Sequence, residues 1–148
     1  MVVKSLNINS SCQMSCALIN ECAGTLVHVE FNAINPTVET FQACFLNYLQ
    51  QRLDEERPVT LLVDTRQMKK VPIAVCLDIV KFMKRNKLKC KNYLTASAII
   101  VGSDFIAGLL QYVFNLSPPV SPNVVVRTAA PAVEFLQGFV NIPEGLVL

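Results

Sequence analysis

Asp64, Thr65 and Arg66 follow directly on the apolar run "VTLLV" at 59–63, so an acid, a hydroxyl and a base stand where a buried strand should end. Asp64 and Arg66 could form an ion pair or contact a polar ligand, and Thr65 offers a hydroxyl. A second polar group, Ser103 with Asp104, follows the apolar run at 94–101 and Gly102, where a serine can cap a helix and an acid favours its positive end. The third group is basic. Lys81, Lys84, Arg85, Lys87, Lys89 and Lys91 would attract an anionic membrane surface, a phosphate-bearing ligand or RNA, or would simply solvate a helix end. A net charge of +2, with Tyr93 alone nearby as a stacking surface, argues against nucleic acid.

Other chemistries find little support. No GxGxxG, P-loop, GxSxG or HExxH pattern occurs, and the single histidine, His28, alternates with Val27 and Val29 in a strand pattern, where a half-buried imidazole is expected. The six cysteines contain no CxxC pair; Cys44 and Cys76 fall on inward helical positions, which suits buried, reduced thiols. A catalytic site, a metal and a cofactor are therefore not expected.

The elements that must position these groups follow from periodicity. Residues 1–148 read as one domain, because the chain suffices for a single core and no stretch has the composition of a linker. "CALINECAG" and "TLVHVEFNA" suggest a hairpin around Ala23 and Gly24. Asn35 and Pro36 suggest a cap and first-turn proline for a helix running to about Glu56, with Phe41, Phe45, Tyr48, Leu49, Arg52 and Leu53 at helical spacing. A second helix opens at Pro72 and carries Lys81, Lys84, Arg85 and Lys87 at its exposed end. A strand at 94–101 leads to a third helix closed by Ser117, Pro118 and Pro119, and a short strand at 124–126 leads through Thr128 to a last helix. Alternating strands and helices with short connections predict an α/β fold, a hairpin plus four β-α units in a mainly parallel sheet with right-handed crossovers. In such a sheet ligands gather at the carboxyl ends of the strands, here Asn35, Asp64, Thr65, Arg66, Ser103, Asp104 and Thr128.

A hairpin leading into β-α units, with "LLVDTRQM" in the second and "VVVRTAAPAVEFL" in the last, resembles the STAS domain, and within it the SpoIIAA-like branch grouped with CRAL-TRIO-type domains. The resemblance spans roughly residues 17–140 and implies a right-handed β-α superhelix that binds rather than catalyses. It also implies a phosphorylatable serine at the start of the second helix. Asp64 matches the acid that ends the preceding strand, but "KKVPIAV" at 69–75 contains no hydroxyl, so the phosphoryl switch is missing.

The third helix, "DFIAGLLQYVFNL", is apolar almost all round: Phe105, Leu109, Leu110 and Val113 are among its large side chains, and after Asp104 only Gln111 and Asn115 are clearly polar. One face can pack on the sheet; the other must meet a second helix, a subunit, a lipophilic ligand or a membrane. The CRAL-TRIO resemblance adds lipid as a guest. If the basic run and this helix flank one opening, the pair would suit an amphiphile with an anionic head. The expected protein is a cytoplasmic, noncatalytic binder of a lipophilic small molecule, or one attached peripherally to an anionic membrane. Its rival is a protein-interaction module, homodimeric or heteromeric, and a phosphorylation-switched antagonist comes third. No signal-peptide core is evident at the N-terminus, and Gly102, Ser103 and Asp104 interrupt the apolar stretch that might have spanned a bilayer.

Overall fold

The computed structural model describes residues 4–6, 16–22 and 24–146, the first group as backbone only. Ala23, on the expected hairpin turn, and Cys12 lie outside the described residues. Among the described residues six strands, β1 (Lys4–Leu6), β2 (Ala17–Glu21), β3 (Leu26–Phe31), β4 (Val59–Asp64), β5 (Leu94–Ile100) and β6 (Asn123–Val126), form one sheet in strict chain order. β1, β2 and β3 are antiparallel, and β3 to β6 run parallel. The fold is thus α/β on a mixed sheet. Gly24 carries φ of 74° at the β2–β3 turn, a conformation that costs a residue without Cβ least.

The first helical run begins with α1 (Val38–Phe41), continues through a π-helical stretch (Gln42–Leu46) and ends as α2 (Asn47–Asp54). Its cap is Thr37, not Asn35. The Thr37 hydroxyl accepts from the Thr40 amide at 3.1 Å, and the Thr40 hydroxyl accepts from the Thr37 amide at 2.9 Å, a reciprocal pair that satisfies two otherwise open donors. The expected second helix is two helices, α3 (Ile73–Arg85) and α4 (Lys87–Tyr93). Asn86 separates them: its Nδ2 donates to the Phe82 carbonyl and to Gln50 Oε1, while Gln50 Nε2 donates back to Asn86 Oδ1 at 2.9 Å. That side-chain pairing lets the backbone leave the helical path at a buried residue. α5 (Asp104–Leu116) follows β5, and α6 (Ala129–Leu136) follows β6.

Alternation along the strands sorts two cores. Val27, Val29, Phe31, Leu61 and Val63 point to the face covered by α1 through α5, where Phe41, Leu49, Val75, Phe82 and Ile106 meet them. Leu26, Leu62, Ala96, Ala98 and Ile100 point to the other face and meet Ala132 and Leu136 of α6. The two alanines of β5 leave room for α6 to lie close. Every residue of β4 is buried, as its unbroken apolar run requires of a strand covered on both faces. Among the described residues, the helical crossovers between parallel strands therefore lie on one side of the sheet and α6 lies on the other.

Candidate functional site

The helices on the crowded face do not close fully on the sheet. Between them lies a cavity of about 330 Å³. Its floor is Phe31, Leu61, Val63, Ser97 and Ile99; α3 contributes Val75, Cys76, Ile79 and Met83, and α5 contributes Ile106, Leu109, Leu110, Val113 and Phe114. One end is aromatic: Phe31 stacks on Phe41 with centroids 5.4 Å apart, and Phe45 meets both rings edge on.

Burial along the lining locates the mouth. Phe31, Phe41, Val63, Thr65, Met68, Val75 and Ile106, toward the carboxyl ends of the strands, are buried. Lys84, Lys87, Leu116, Pro118, Pro119 and Val120, toward the strands' amino ends, also line the cavity and are exposed. The opening is therefore at the amino rim, where α3 and α5 end. The carboxyl rim is laced shut by backbone bonds from Thr65 N–H to the Ile100 carbonyl and from Lys69 N–H to the Ile34 carbonyl, both 2.8 Å. Gly102 completes the closure, since a Cβ there would stand 2.8 Å from the Arg66 carbonyl oxygen.

This geometry divides the residues singled out from sequence. Leu109, Leu110 and Val113 line the cavity, and so do Lys84 and Lys87; Lys81, Arg85, Lys89 and Lys91 do not. Lys89 pairs with Asp54, and Arg85 lies over the Phe82 ring. Phe105 turns outward and is 54% exposed. Of the residues collected at the carboxyl rim, only Thr65 reaches the cavity. Arg66 donates from Nη2 to Asp64 Oδ2 at 2.7 Å and from Nε to Oδ1 at 3.0 Å, on the face away from the cavity. Burial pushes the Asp64 carboxyl up, but these bonds outweigh it and hold the group below its ordinary value. Ser103 caps α5 by accepting from the Ile106 amide at 3.2 Å, and Asp104 receives a 2.7 Å bond from Arg127. Thr128 precedes α6 without a side-chain capping bond.

The cavity interior is poor in reactive groups. Thr65 Oγ1 already donates to the Ile100 carbonyl at 2.8 Å, and Ser121 Oγ to the Cys90 carbonyl at 3.0 Å. Burial pushes the Cys76 and Cys90 thiols up, away from thiolate. Outside the cavity, Cys16 Sγ lies 3.1 Å from Cys44 Sγ; that hydrogen bond and burial raise the Cys16 thiol well above its ordinary value. His28 is buried rather than half-buried, and burial lowers its pKa against the opposing pull of Glu30 and Asp64. It points to the face opposite Val27 and Val29, so it takes no part in the cavity. Among the described residues no three metal-ligating side chains come together, and no helix is long and apolar enough to cross a membrane.

The cavity itself and the role of the 117–121 loop were not legible in sequence. "SPPVS" signals only a helix end; in the structure it lines the mouth, tied to α4 by the Ser121 bond and to β5 by the bond from Ser97 N–H to the Pro122 carbonyl. No protein-family model matches the chain, and no curated protein sequence matches it.

Proposed function

We propose that this protein is a noncatalytic binding domain for a lipophilic or amphiphilic guest, which it holds between the sheet and α3 and α5. The observation that carries the reading is one shared lining: Leu109, Leu110 and Val113 bound the same space as Lys84 and Lys87, with exposed lysines at its mouth. A volume of about 330 Å³ lies at the small end of ligand pockets, which run from roughly 300 to 1,000 Å³. Hydrophobic transfer supplies the affinity, at ~0.8 kcal/mol for each methylene buried, before the cost of association is subtracted. The bonded hydroxyls of Thr65 and Ser121 and the protonated thiols of Cys76 and Cys90 favour binding over catalysis.

The strict chain order of the strands, with the parallel crossovers on one face, supports a SpoIIAA-like right-handed β-α superhelix and the STAS or CRAL-TRIO type of domain. We place the protein in the cytoplasm, with transient attachment to anionic membrane when guests exchange. The exposed lysines and Leu116 and Val120 at the mouth favour that attachment.

The test uses a neutral fluorescent apolar probe, N-phenyl-1-naphthylamine, with wild type and Leu110→Trp. One probe should bind per subunit and be displaced by a long-chain alcohol, while Leu110→Trp, which places an indole in the cavity, should bind at least tenfold more weakly. A folded wild type that binds no probe would refute the reading. The rival, a subunit interface on α5, is favoured by Phe105 and Tyr112, exposed along its outer side. Sedimentation of wild type against Phe105→Asp tests it; Leu110 is unsuited to that test because it faces the cavity.

A further inference from the structure

We propose that the guest is a single-chain amphiphile with an anionic head, inserted tail first, its head held at the mouth by Lys84 and Lys87. This rests on the reading of the cavity as a ligand site and names the ligand class.

Shape is the first argument. The lining follows α3 from Val75 to Lys84, nine helical steps, or ~13 Å at 1.5 Å per residue. Spread over that length, about 330 Å³ makes the space longer than it is wide, which suits an extended hydrocarbon chain better than a compact ring system. If a methylene takes about the volume of a liquid water, ~30 Å³, the space holds roughly ten of them. Polarity is the second. The closed end is the Phe31, Phe41 and Phe45 cluster, and the cationic groups in the lining stand at the mouth.

Availability of charge is the third. Lys89 is paired with Asp54, and Arg85 hydrogen-bonds to Gln50, whereas neither Lys84 nor Lys87 has an acidic partner among the described residues. The two lysines belong to different helices. The break at Asn86 turns the chain between them, and both still border one opening. A carboxylate or phosphate there would pair with both ammonium groups while its chain stayed out of water; a neutral head would gain nothing from either.

Calorimetric titration with decanoate, decanol and decyltrimethylammonium below micellar concentrations tests this, using wild type and Lys84→Gln/Lys87→Gln. Both positions are exposed, so the variant should fold. Decanoate should bind wild type about fivefold tighter than decanol, the scale of two partly exposed ion pairs, and the cationic chain should bind weakest. In the variant the decanoate advantage should fall below about twofold, with decanol unchanged. Among carboxylates, affinity should rise about fourfold per methylene and level off near ten to twelve carbons. Equal binding of decanoate and decanol, a decanoate preference that survives in the variant, or full competition by acetate or inorganic phosphate would each overturn the head assignment and leave the cavity reading standing. If none of the three chains binds, both fall.

Discussion

Arg52 shows how a charged side chain can belong to a core. It sits on the inward side of α2 beside Leu49 and Leu53, a position that helical spacing identifies without saying what neutralises it. Its partner is at the end of β2: Nη1 donates to Glu21 Oε1 at 3.0 Å and to the Tyr48 hydroxyl at 3.2 Å, and Nη2 donates to the Pro58 carbonyl. Tyr48 in turn donates to Glu21 Oε1 at 2.8 Å. Burial, and the bond to an acceptor that prefers a protonated phenol, push the Tyr48 pKa from 10.0 up to about 12. A phenol whose folded-state value exceeds its unfolded value stabilises in full below pH 10 and loses that stabilisation as pH rises through 12, because the unfolded chain ionises first. The effect is on the order of 2–3 kcal/mol. In urea unfolding, the stability advantage of wild type over Tyr48→Phe should therefore shrink by that amount between pH 10 and 12; an advantage constant with pH would show that the phenol is not held protonated by the fold.

Helix α5 is where sequence pattern and packing meet most directly. Its near-complete apolarity implied two contacts, and the structure supplies an inner face on sheet and cavity and an outer stripe with Phe105 and Tyr112 exposed. Adjacent residues should accordingly behave in opposite ways. Ile106, 6% exposed and packed in the larger core, should cost about 2–5 kcal/mol on conversion to alanine, while Phe105→Ala should stay within ~0.5 kcal/mol. Thermal or urea unfolding of the two variants checks this, and similar costs for both would mean that the outer stripe is covered. The positions of α5, of the buried strand β4 and of the Asp64–Arg66 pair were legible because each depends on local periodicity or neighbouring charges. The break at Asn86 was not. It depends on an amide partner at Gln50, thirty-six residues away, and nothing in "KRNKLK" distinguishes it from continuous helix. Which end of the cavity is open was not legible either: it depends on loops such as that of Arg66 against Gly102, which meet across the fold.

At the scale of the whole molecule the cavity is a stability problem. Mutational cavities cost ~24 cal/mol per Å³, so about 330 Å³ of closed apolar space would forfeit as much as ~8 kcal/mol, comparable with the total stability of a domain of this size. An open mouth lowers that figure, since water can enter among the lysines and serines, but the aromatic end offers water no hydrogen bonds. A chain selected only to fold could fill the space from its own side chains. Ser97, on the β5 floor, is a small polar residue where its strand neighbours on the same face are Leu94 and Ile99, and its side chain borders the empty volume. Ser97→Leu should therefore raise stability by about 1–2 kcal/mol, from buried area and strand preference together, while displacing the guest from the same space. Chemical unfolding without ligand should show the gain, and probe titration should show binding weakened at least tenfold. A saturating guest should then raise the melting temperature of wild type and leave that of Ser97→Leu unchanged. Loss of stability in Ser97→Leu would mean that the floor has no room for two further heavy atoms, and that the space beneath α3 and α5 is too constricted to admit a chain.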